Sequence, residues 1–465
     1  MNYNPEQQYR CTIIRGRVKT ADDLLLAYAN ILRNICPCRK DLFAETFDRE
    51  LQSILPANTR RKARDNHRTE TCGQLLGMYY IDDNELVQIS ERTYKLLEDG
   101  DQPAFFKDIC YKFQFPEGMG TAQKAKRESE MGINIRQCAY VLECMKIAAR
   151  RRCILSVNEA AYYIVNSLDV LKREVAPEEV VVTIIDRRER GIENSVPGGS
   201  RGMQHIRETF NYMELANLIR IRERNLLLNE RESRSIDFIA STWNNPLDFN
   251  VEDYDLDILQ DRKDMRLKWM QYYSKLVDSG GSFNTTLEAL TDNIEQLREQ
   301  GYAVTEGIDT NAIGDEGEIF VYNYERSRVE QYNRRLRNRV LHLGRTRGLG
   351  YDIQSVFADN SERDEFAKYI EVKSTKRVTV PGNSGEAWTD TVNFTRNEWV
   401  AANQHRDAFA IYRVYFTPER VEIFVVDDPI TKDEEGIISV IAEKYRVDFG
   451  NTSGGFIRYD QEDED

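Results

Sequence analysis

The stretch "GLGYDIQSVFADNSERDEFAKYIEVKST", residues 348–375, contains two strand-like runs that each carry an acidic residue among aliphatic ones. Asp352 lies in the first run and Glu371 in the second, and Lys373 follows Glu371 two positions later. Buried strands favour Val and Ile at such positions, because aliphatic side chains fit a pleated, half-buried surface. The stretch therefore predicts two strands of a sheet, and it predicts a binding or catalytic role for the two carboxylates and the ammonium group that they carry.

The alternation of side chains along a strand predicts which of these groups lie together. Glu371 and Lys373 share one face of their strand, whereas Ile370 and Val372 take the other. If the two strands pair as a hairpin, the loop 358–368 returns the chain and brings Asp352 to Glu371. The sequence thus predicts a pair of carboxylates with a neighbouring lysine.

Two carboxylates at close range raise each other's pKa, and a divalent cation between them relieves the repulsion. Mg²⁺ prefers oxygen ligands and keeps several waters, one of which can be deprotonated to attack a phosphorus atom. Lys373 would orient that water or steady the scissile phosphate. An ordinary Glu–Lys pair on a surface strand remains the alternative from these residues alone.

The distribution of charge along the chain indicates what kind of molecule the protein binds. The chain has 465 residues and a net charge of −14, which by itself argues against nucleic acid. The charges are nevertheless clustered, and residues 326–347 carry eight arginines against one acid. Such basic runs predict patches for an anionic polymer. The residues predicted to contact nucleic acid are Arg60, Arg61, Lys62, Arg64, Arg334 and Arg335.

Other classes of protein are disfavoured by what the sequence lacks. No apolar run is long enough to span a membrane, and residues 1–19 have no apolar secretory region. The eight cysteines all lie in the first third of the chain, which is not the spacing of a disulfide framework. No Walker A pattern occurs. These features predict a cytoplasmic, ATP-independent protein.

The first half of the chain predicts two winged-helix-like units. Residues 70–100 read as a helical end, a polar turn, a short strand and a further helix, and residues 202–230 repeat the order of helix and short strands. This order is typical of the wing of a winged-helix domain. An ordinary helix–hairpin core is the alternative. Ser156 and Glu159 form a capping-box pattern that predicts a helix start between the two units.

The second half has the order α-β-β-α-β-β, which predicts an α/β fold with a mixed sheet flanked by helices. A long helical pattern covers residues 313–343, and a capping-box pattern at Thr395 and Glu398 begins the second helix. The acidic segment 245–262 marks a boundary. We therefore predict a DNA-recognition region at 1–245, an acidic and helical connector at 246–300, a catalytic domain at 301–450 and an acidic tail at 451–465.

Four ordered motifs carry a resemblance to a known family. They are "AIGDEGEIFVYNYERSR", "GYDIQS", "YIEVKST" and "FTRNEWVAA". Together they resemble the NO VEIN C-terminal type of nuclease domain, of the PD-(D/E)xK superfamily, over roughly residues 300–430. The first half resembles, more loosely, the recognition regions of type II restriction endonucleases.

The resemblance implies a Mg²⁺-dependent phosphodiesterase core. Asp352 and Glu371 match the metal carboxylates of the superfamily, and Lys373 matches its lysine. Glu318 matches the acid on the first helix, with Glu316 as the neighbouring alternative. Tyr351-Asp352 stands where the superfamily has Pro-Asp.

These observations predict a Mg²⁺-dependent, ATP-independent endonuclease of restriction type that cuts double-stranded DNA. Because one chain carries one such site, cutting both strands implies a homodimer, at least during cleavage. A cognate methyltransferase is an expected partner in the same system. The alternatives are a nuclease subunit that a partner targets, and a DNA-binding module whose nuclease fold is inactive.

Overall fold

The computed structural model describes residues 3–11, 24–55, 59–192, 194, 196, 199–285, 313–344, 349–359, 361–382, 388–418, 420–441, 446–450 and 452–459. Contacts divide the chain into two compact units. The N-terminal unit comprises Met1–Leu97 and Gln102–Thr285, and the C-terminal unit comprises Glu98–Asp101 and Thr286–Asp465. Within the described ranges, no helix is both long and apolar enough to cross a membrane.

Helices dominate the N-terminal unit and enclose one continuous apolar core. Large aromatic side chains such as Tyr28, Phe106 and Tyr140 are almost fully buried in this core. Two π-helical segments, His67–Leu75 and Ala160–Val165, continue helical runs. The α-helices are α1 (Leu25–Ile35), α2 (Lys40–Gln52), α3 (Arg61–Asn66), α4 (Glu91–Asp99), α5 (Gln102–Lys112), α6 (Ala122–Glu130), α7 (Gln137–Arg150), α8 (Val157–Glu159), α9 (Leu168–Leu171), α10 (Pro177–Glu189), α11 (Gly199–Leu215), α12 (Ser233–Ala240) and α13 (Leu259–Ser274).

Two small antiparallel sheets accompany these helices. The first has the order β1-β3-β2 and the second the order β4-β6-β5. Each contains a tight hairpin that follows a helical segment. The strands are β1 (Cys38–Arg39), β2 (Tyr79–Ile81), β3 (Leu86–Ile89), β4 (Leu155–Ser156), β5 (Ile219–Arg222) and β6 (Asn225–Leu228).

The helical segment before β2 ends earlier than the sequence predicts. The pattern of residues 70–100 predicts a helical end that includes Tyr79 and Tyr80, but they form β2 and pair with β3. Gly77 has a positive φ of 55°, which a residue with a Cβ adopts only at a cost. The helical run therefore ends before this glycine, and the chain turns into the strand.

The predicted boundary at residue 245 also differs from the structure. Phe249, Met265, Trp269 and Tyr273 are buried in the core of the N-terminal unit. Trp269 and Tyr273 are four residues apart on α13 and so share the helix face that packs inward. The boundary between the two units falls at Thr285 instead, and residues 286–300 of the predicted connector lie outside the described residues.

The C-terminal unit contains a six-stranded sheet of order β15-β12-β11-β9-β8-β7. Strands β9 and β11 are parallel, and the other neighbours are antiparallel, so the predicted mixed sheet is confirmed. Its elements are α14 (Ile313–Tyr332), β7 (Leu341–His342), β8 (Ile353–Val356), β9 (Ala367–Lys376), β10 (Thr389–Asn393), α15 (Arg396–His405), β11 (Phe409–Phe416), β12 (Val421–Asp427), α16 (Pro429–Glu434), β13 (Ser439–Ile441), β14 (Arg446–Gly450) and β15 (Gly455–Tyr459).

Apolar side chains cover both faces of this sheet. On one face, Val321 and Val329 of α14 join a core with Ile370 and Val372 of β9. On the other face, Ala402 of α15 joins a second core with aromatic residues of β11 and β12. A further three-stranded sheet has the order β10-β14-β13. The predicted flanking helices are thus confirmed.

Two predicted element boundaries in this unit differ from the structure. The helical pattern of residues 313–343 ends as a helix at Tyr332, after which Asn333 caps a turn by accepting a hydrogen bond from Arg335 N at 3.0 Å. The segment 451–465 is not wholly a tail, because β15 pairs with β12 at the sheet edge. Phe456 packs against the second core there, and residues 460–465 lie outside the described residues.

Candidate active site

The β8–β9 hairpin positions Asp352. Ile353 lies opposite Ile370 in the antiparallel ladder, which confirms the predicted hairpin. The backbone N–H of Asp352 donates to Ile370 O at 3.0 Å, and Val372 N–H donates to Asp352 Oδ2 at 2.8 Å. Backbone groups on the neighbouring strand therefore fix both the main chain and the carboxylate of Asp352.

Glu371 and Lys373 lie side by side on β9. Because Ile370 and Val372 enter the core beneath α14, the alternation predicted from the sequence is confirmed. Glu371 is only 3% exposed, and its Oε1 lies 2.5 Å from Lys373 Nζ. The strand thus pairs a buried acid with a half-buried ammonium group.

The two carboxylates are held in an environment that favours their neutral forms. Burial raises the pKa of Asp352 to about 6, and the charge of Glu318 adds to this, while Val372 N–H and Lys373 oppose it. Burial also raises the pKa of Glu371 well above its usual range; Asp352 and Glu398 contribute, and Lys373 opposes them. One lysine faces several acids, so the site has a surplus of negative charge that suits a cation.

Glu398 is a neighbour of Lys373 that sequence reasoning explained only as a helix cap. Its Oε2 lies 3.0 Å from Lys373 Nζ. The capping box predicted at Thr395 and Glu398 is confirmed, since each residue accepts a hydrogen bond from the other's backbone N–H. Burial disfavours the charge of Lys373, but Glu371 and Glu398 outweigh it and raise the pKa of the ammonium group.

The structure separates the two acids on α14. Glu318 Oε2 lies 2.8 Å from His342 Nε2, and the charge of Glu318 raises the pKa of Asp352. Glu316 instead lies 3.5 Å from Lys376, and burial raises its pKa to about 6. Residues two apart on a helix point about 200° apart around its axis, so they cannot serve the same site. Of the two acids, Glu318 is therefore the one associated with Asp352.

His342 is a further group that sequence reasoning missed. It lies in the edge strand β7, and β7 pairs with β8 so that His342 stands opposite Ile353. A lone histidine in a short strand carries no sequence signal. Only the pairing of β7 with β8 brings it to Glu318.

The carboxylate oxygens of the site fit Mg²⁺ better than a metal ion that needs a complete cage of protein ligands. Among the described residues, no group of three or more His, Cys, Asp or Glu side chains has the arrangement of a metal site. Half-buried Asp352 and buried Glu371 are two carboxylates with raised pKa values. Mg²⁺ is commonly held by one or two carboxylates, with water filling the remaining positions. The pair fits such an ion and does not form a dedicated protein cage.

The residues predicted to contact nucleic acid lie in both units. Arg60, Arg61 and Lys62 are exposed at the start of α3, whereas Arg64 is half-buried and donates to Thr59 O at 2.7 Å. In the C-terminal unit the side chain of Arg334 is 90% exposed, and Arg335 beside it is exposed as well. Arg64 thus has a structural contact, while the other five present charge to solvent.

Comparisons with known proteins agree with the division of the chain into an N-terminal and a C-terminal unit. Residues 3–270 match the family model described as "Restriction endonuclease BpuJI - N terminal", and residues 317–426 match "Protein NO VEIN, C-terminal". The NO VEIN resemblance drawn from the four motifs is therefore confirmed, and so is the resemblance of the first half to restriction endonucleases.

A solved structure supports the match of the first half. It is described as "Crystal structure of pyrene- and phenanthrene-modified DNA in complex with the BpuJ1 endonuclease binding domain". It is 47% identical, covers 59% of this chain and 100% of that chain, and has a TM-score of 0.56. No curated protein matches the chain.

Proposed function

The chain belongs to the restriction endonuclease BpuJI N-terminal family, and from this premise we propose that it is a restriction-type endonuclease of double-stranded DNA. The N-terminal unit recognises the site, and the C-terminal unit hydrolyses the phosphodiester bond. The observation that carries this proposal is the cluster at the β8–β9 hairpin of buried Glu371 with half-buried Asp352 and Lys373.

The C-terminal unit is proposed to act as a PD-(D/E)xK nuclease. Asp352 and Glu371 would hold Mg²⁺, and Glu318 would support them from α14. When bound, Mg²⁺ supplies Lewis-acid stabilisation of the charge that develops on the phosphate. Lys373 holds the attacking water or the scissile phosphate in position, because an ammonium group is a mobile donor and a compact positive charge. Val372 N–H keeps Asp352 oriented throughout.

The N-terminal unit is proposed to contain two winged-helix-like units, each built from helices and one small sheet. The helix–hairpin order of both sheets supports this proposal. The solved relative is a binding domain in complex with modified DNA, which supports DNA as the partner of this unit too. Exposed Arg60, Arg61 and Lys62 would contact phosphates, which fix the orientation on the duplex, while other side chains read bases.

The remaining elements of the proposal concern partners. No nucleotide-binding pattern points to ATP, so cleavage is proposed to need only the duplex and Mg²⁺. One chain offers one site, so a homodimer would form, at least during double-strand cleavage. A cognate methyltransferase would protect the host's own sites.

Plasmid cleavage tests the proposal. The full chain is incubated with plasmid and Mg²⁺, with EDTA in a parallel reaction and without ATP. Discrete fragments that disappear with EDTA are expected. Nicking or smearing would instead favour a nuclease subunit that needs a partner for targeting, and retained DNA binding without cleavage would favour a binding module with an inactive nuclease fold. Sequencing the ends of fragments from methylated and unmethylated plasmids would then define the site.

A further inference from the structure

We propose that Glu398 is a positioning residue that holds the ammonium group of Lys373 in place for cleavage, in addition to capping α15. This inference rests on the proposed nuclease function. Within the described part of the chain, Glu398 makes no hydrogen bond to Asp352 or Glu371. Its side chain instead accepts a hydrogen bond from Lys373. It would therefore act through Lys373 and not on the substrate.

A single oxygen of Glu398 carries both contacts. Oε2 accepts from Lys373 Nζ at 3.0 Å and from Thr395 N–H at 2.9 Å. The side chain of Glu398 is 15% exposed and that of Lys373 is 22% exposed, so the pair is largely shielded from water. The ring of Phe394 lies 5.3 Å from Lys373 Nζ and closes the ammonium group in from a further side. The start of α15 and β9 are thereby tied together at the lysine.

Lys373 needs Glu398 as a second acidic partner because Glu371, its first partner, is also proposed to bind the metal ion. Lys373 Nζ is 2.5 Å from Glu371 Oε1 and 3.0 Å from Glu398 Oε2. Glu371 is a proposed metal ligand, and an oxygen that binds a cation is a weaker partner for an ammonium group. Glu398 is held in place by the capping box and is not a proposed metal ligand. It can keep Lys373 oriented whichever partner Glu371 has.

The competing explanation is that Glu398 only caps the helix. Two substitutions separate the roles. Glu398→Gln keeps a side-chain oxygen at the third position of the helix, where Gln also completes a capping box, but removes the charge beside Lys373. Thr395→Ala removes the hydroxyl that accepts from Glu398 N–H and leaves the charge of Glu398 unchanged.

Single-turnover cleavage is measured for wild type and both variants at a temperature where circular dichroism shows each to be folded. Glu398→Gln is expected to lower the cleavage rate by at least about tenfold, with the Kd for DNA within about twofold of wild type. Thr395→Ala is expected to lower the melting temperature and to leave the rate within about twofold. Equal losses of rate in both variants, or none in Glu398→Gln, would overturn the positioning role.

A double-mutant cycle gives a readout that does not depend on cleavage. Urea midpoints are measured for wild type, Glu398→Gln, Lys373→Met and the double variant. Loss of the Glu398 charge is expected to lower the midpoint when Lys373 is present and to change it little in the Lys373→Met background. Additive effects would refute the contact. If wild type failed to cut any DNA, the nuclease proposal would fall, while the cycle would still decide whether Glu398 holds Lys373.

Discussion

Charges are balanced around two buried cations of the N-terminal unit but not around Lys373 of the C-terminal unit. In the N-terminal unit, Arg92 and Asp108 pair at 2.7 Å with both side chains 0% exposed, and Lys107 pairs with Glu232 at 2.7 Å. Arg92 also donates to Leu76 O at 3.0 Å. Each buried cation of these pairs has one acid, so the charges balance within the protein.

Around Lys373 in the C-terminal unit the charges do not balance, whereas Arg413 and Asp390 of the same unit form a balanced buried pair. Asp352, Glu371 and Glu398 all act on the single ammonium group of Lys373, and Glu318 adds a further negative charge beside Asp352. A balanced buried pair holds structure, whereas an unbalanced cluster costs stability and persists where function uses it. The surplus of acids supports the proposal that a cation binds the C-terminal cluster.

The largest expected effect is on cleavage. Asp352→Ala, Glu371→Ala and Lys373→Ala should each lower the cleavage rate by at least about 100-fold, because each removes a group that acts on the transferred phosphate or its cation. DNA binding and folding should remain nearly intact, since recognition is assigned to the other unit. The rate is compared with that of Glu362→Ala, which removes an exposed acid from the same unit. Near wild-type cutting by any of the three would remove that residue from the site.

Charge removal should affect the stability of the two units in opposite directions. Asp108→Asn leaves Arg92 buried beside a neutral partner and should destabilise the N-terminal unit by about 3–5 kcal/mol. Asp352→Asn relieves repulsion among acids and should stabilise the C-terminal unit at pH 7 by about 2 kcal/mol. Calorimetry of the full-length variants measures both changes. Destabilisation of the C-terminal unit by Asp352→Asn in the absence of metal would contradict the comparison.

The same contrast predicts a pH dependence. The folded pKa of Asp352, about 6, lies above its ordinary value of 3.8, and that of Glu316, also about 6, lies above 4.5. Protonation therefore favours the folded state, and this stability is lost as the pH rises through the window from about 4 to about 6. Without metal, the C-terminal unit should melt at a higher temperature at pH 5 than at pH 7, and Asp352→Asn should reduce the difference.

Separating the units sharpens their comparison. A fragment of residues 1–285 should fold alone and bind the cognate duplex, because it contains Trp269 and Tyr273, which a fragment ending at residue 245 would lack. Its affinity should fall at least about tenfold between 50 and 200 mM salt, as phosphate contacts release counterions. A fragment of residues 286–465 should bind poorly and select no site. Site selection by the C-terminal fragment alone would refute this division of labour.

The two hairpins of the N-terminal unit offer a smaller test. The β5–β6 turn carries exposed Arg222 and Arg224, whereas the β2–β3 turn carries exposed Asp83 and Glu85. Replacing both arginines with alanine should weaken DNA binding about tenfold and reduce its salt dependence. Replacing both acids should leave binding unchanged or strengthen it slightly. Equal effects of the two double variants would show that hairpin charge does not decide which hairpin approaches DNA.

The smallest effect is expected at Glu318. Glu318→Gln should slow cleavage a few-fold and raise the Mg²⁺ concentration required, because the charge that Glu318 adds beside Asp352 favours a cation. Glu316→Gln is the matched control on the same helix, since Glu316 pairs with Lys376 instead. Titrations of the cleavage rate with Mg²⁺ measure both variants. An unchanged metal requirement in Glu318→Gln would exclude it from the site.

Local patterns in the sequence determined much of the candidate site. The alternation of β9 placed Glu371 and Lys373 on one face, and two strand-like runs separated by a polar loop predicted the hairpin that brings Asp352 beside them. The capping box at Thr395 was equally readable. These features depend on residues close in sequence, whose geometry follows from the backbone period of one strand or one helical turn.

Tertiary structure alone decided the rest. The contact of Glu398 with Lys373, the pairing of Glu318 with His342 and the burial of Trp269 in the N-terminal unit all join residues far apart in the chain. No periodicity in one segment records which other segment it will meet, because that choice is made by the packing of whole helices and sheets. The sequence by itself therefore determined the chemistry that the strand carries, and the fold decided which further side chains complete it.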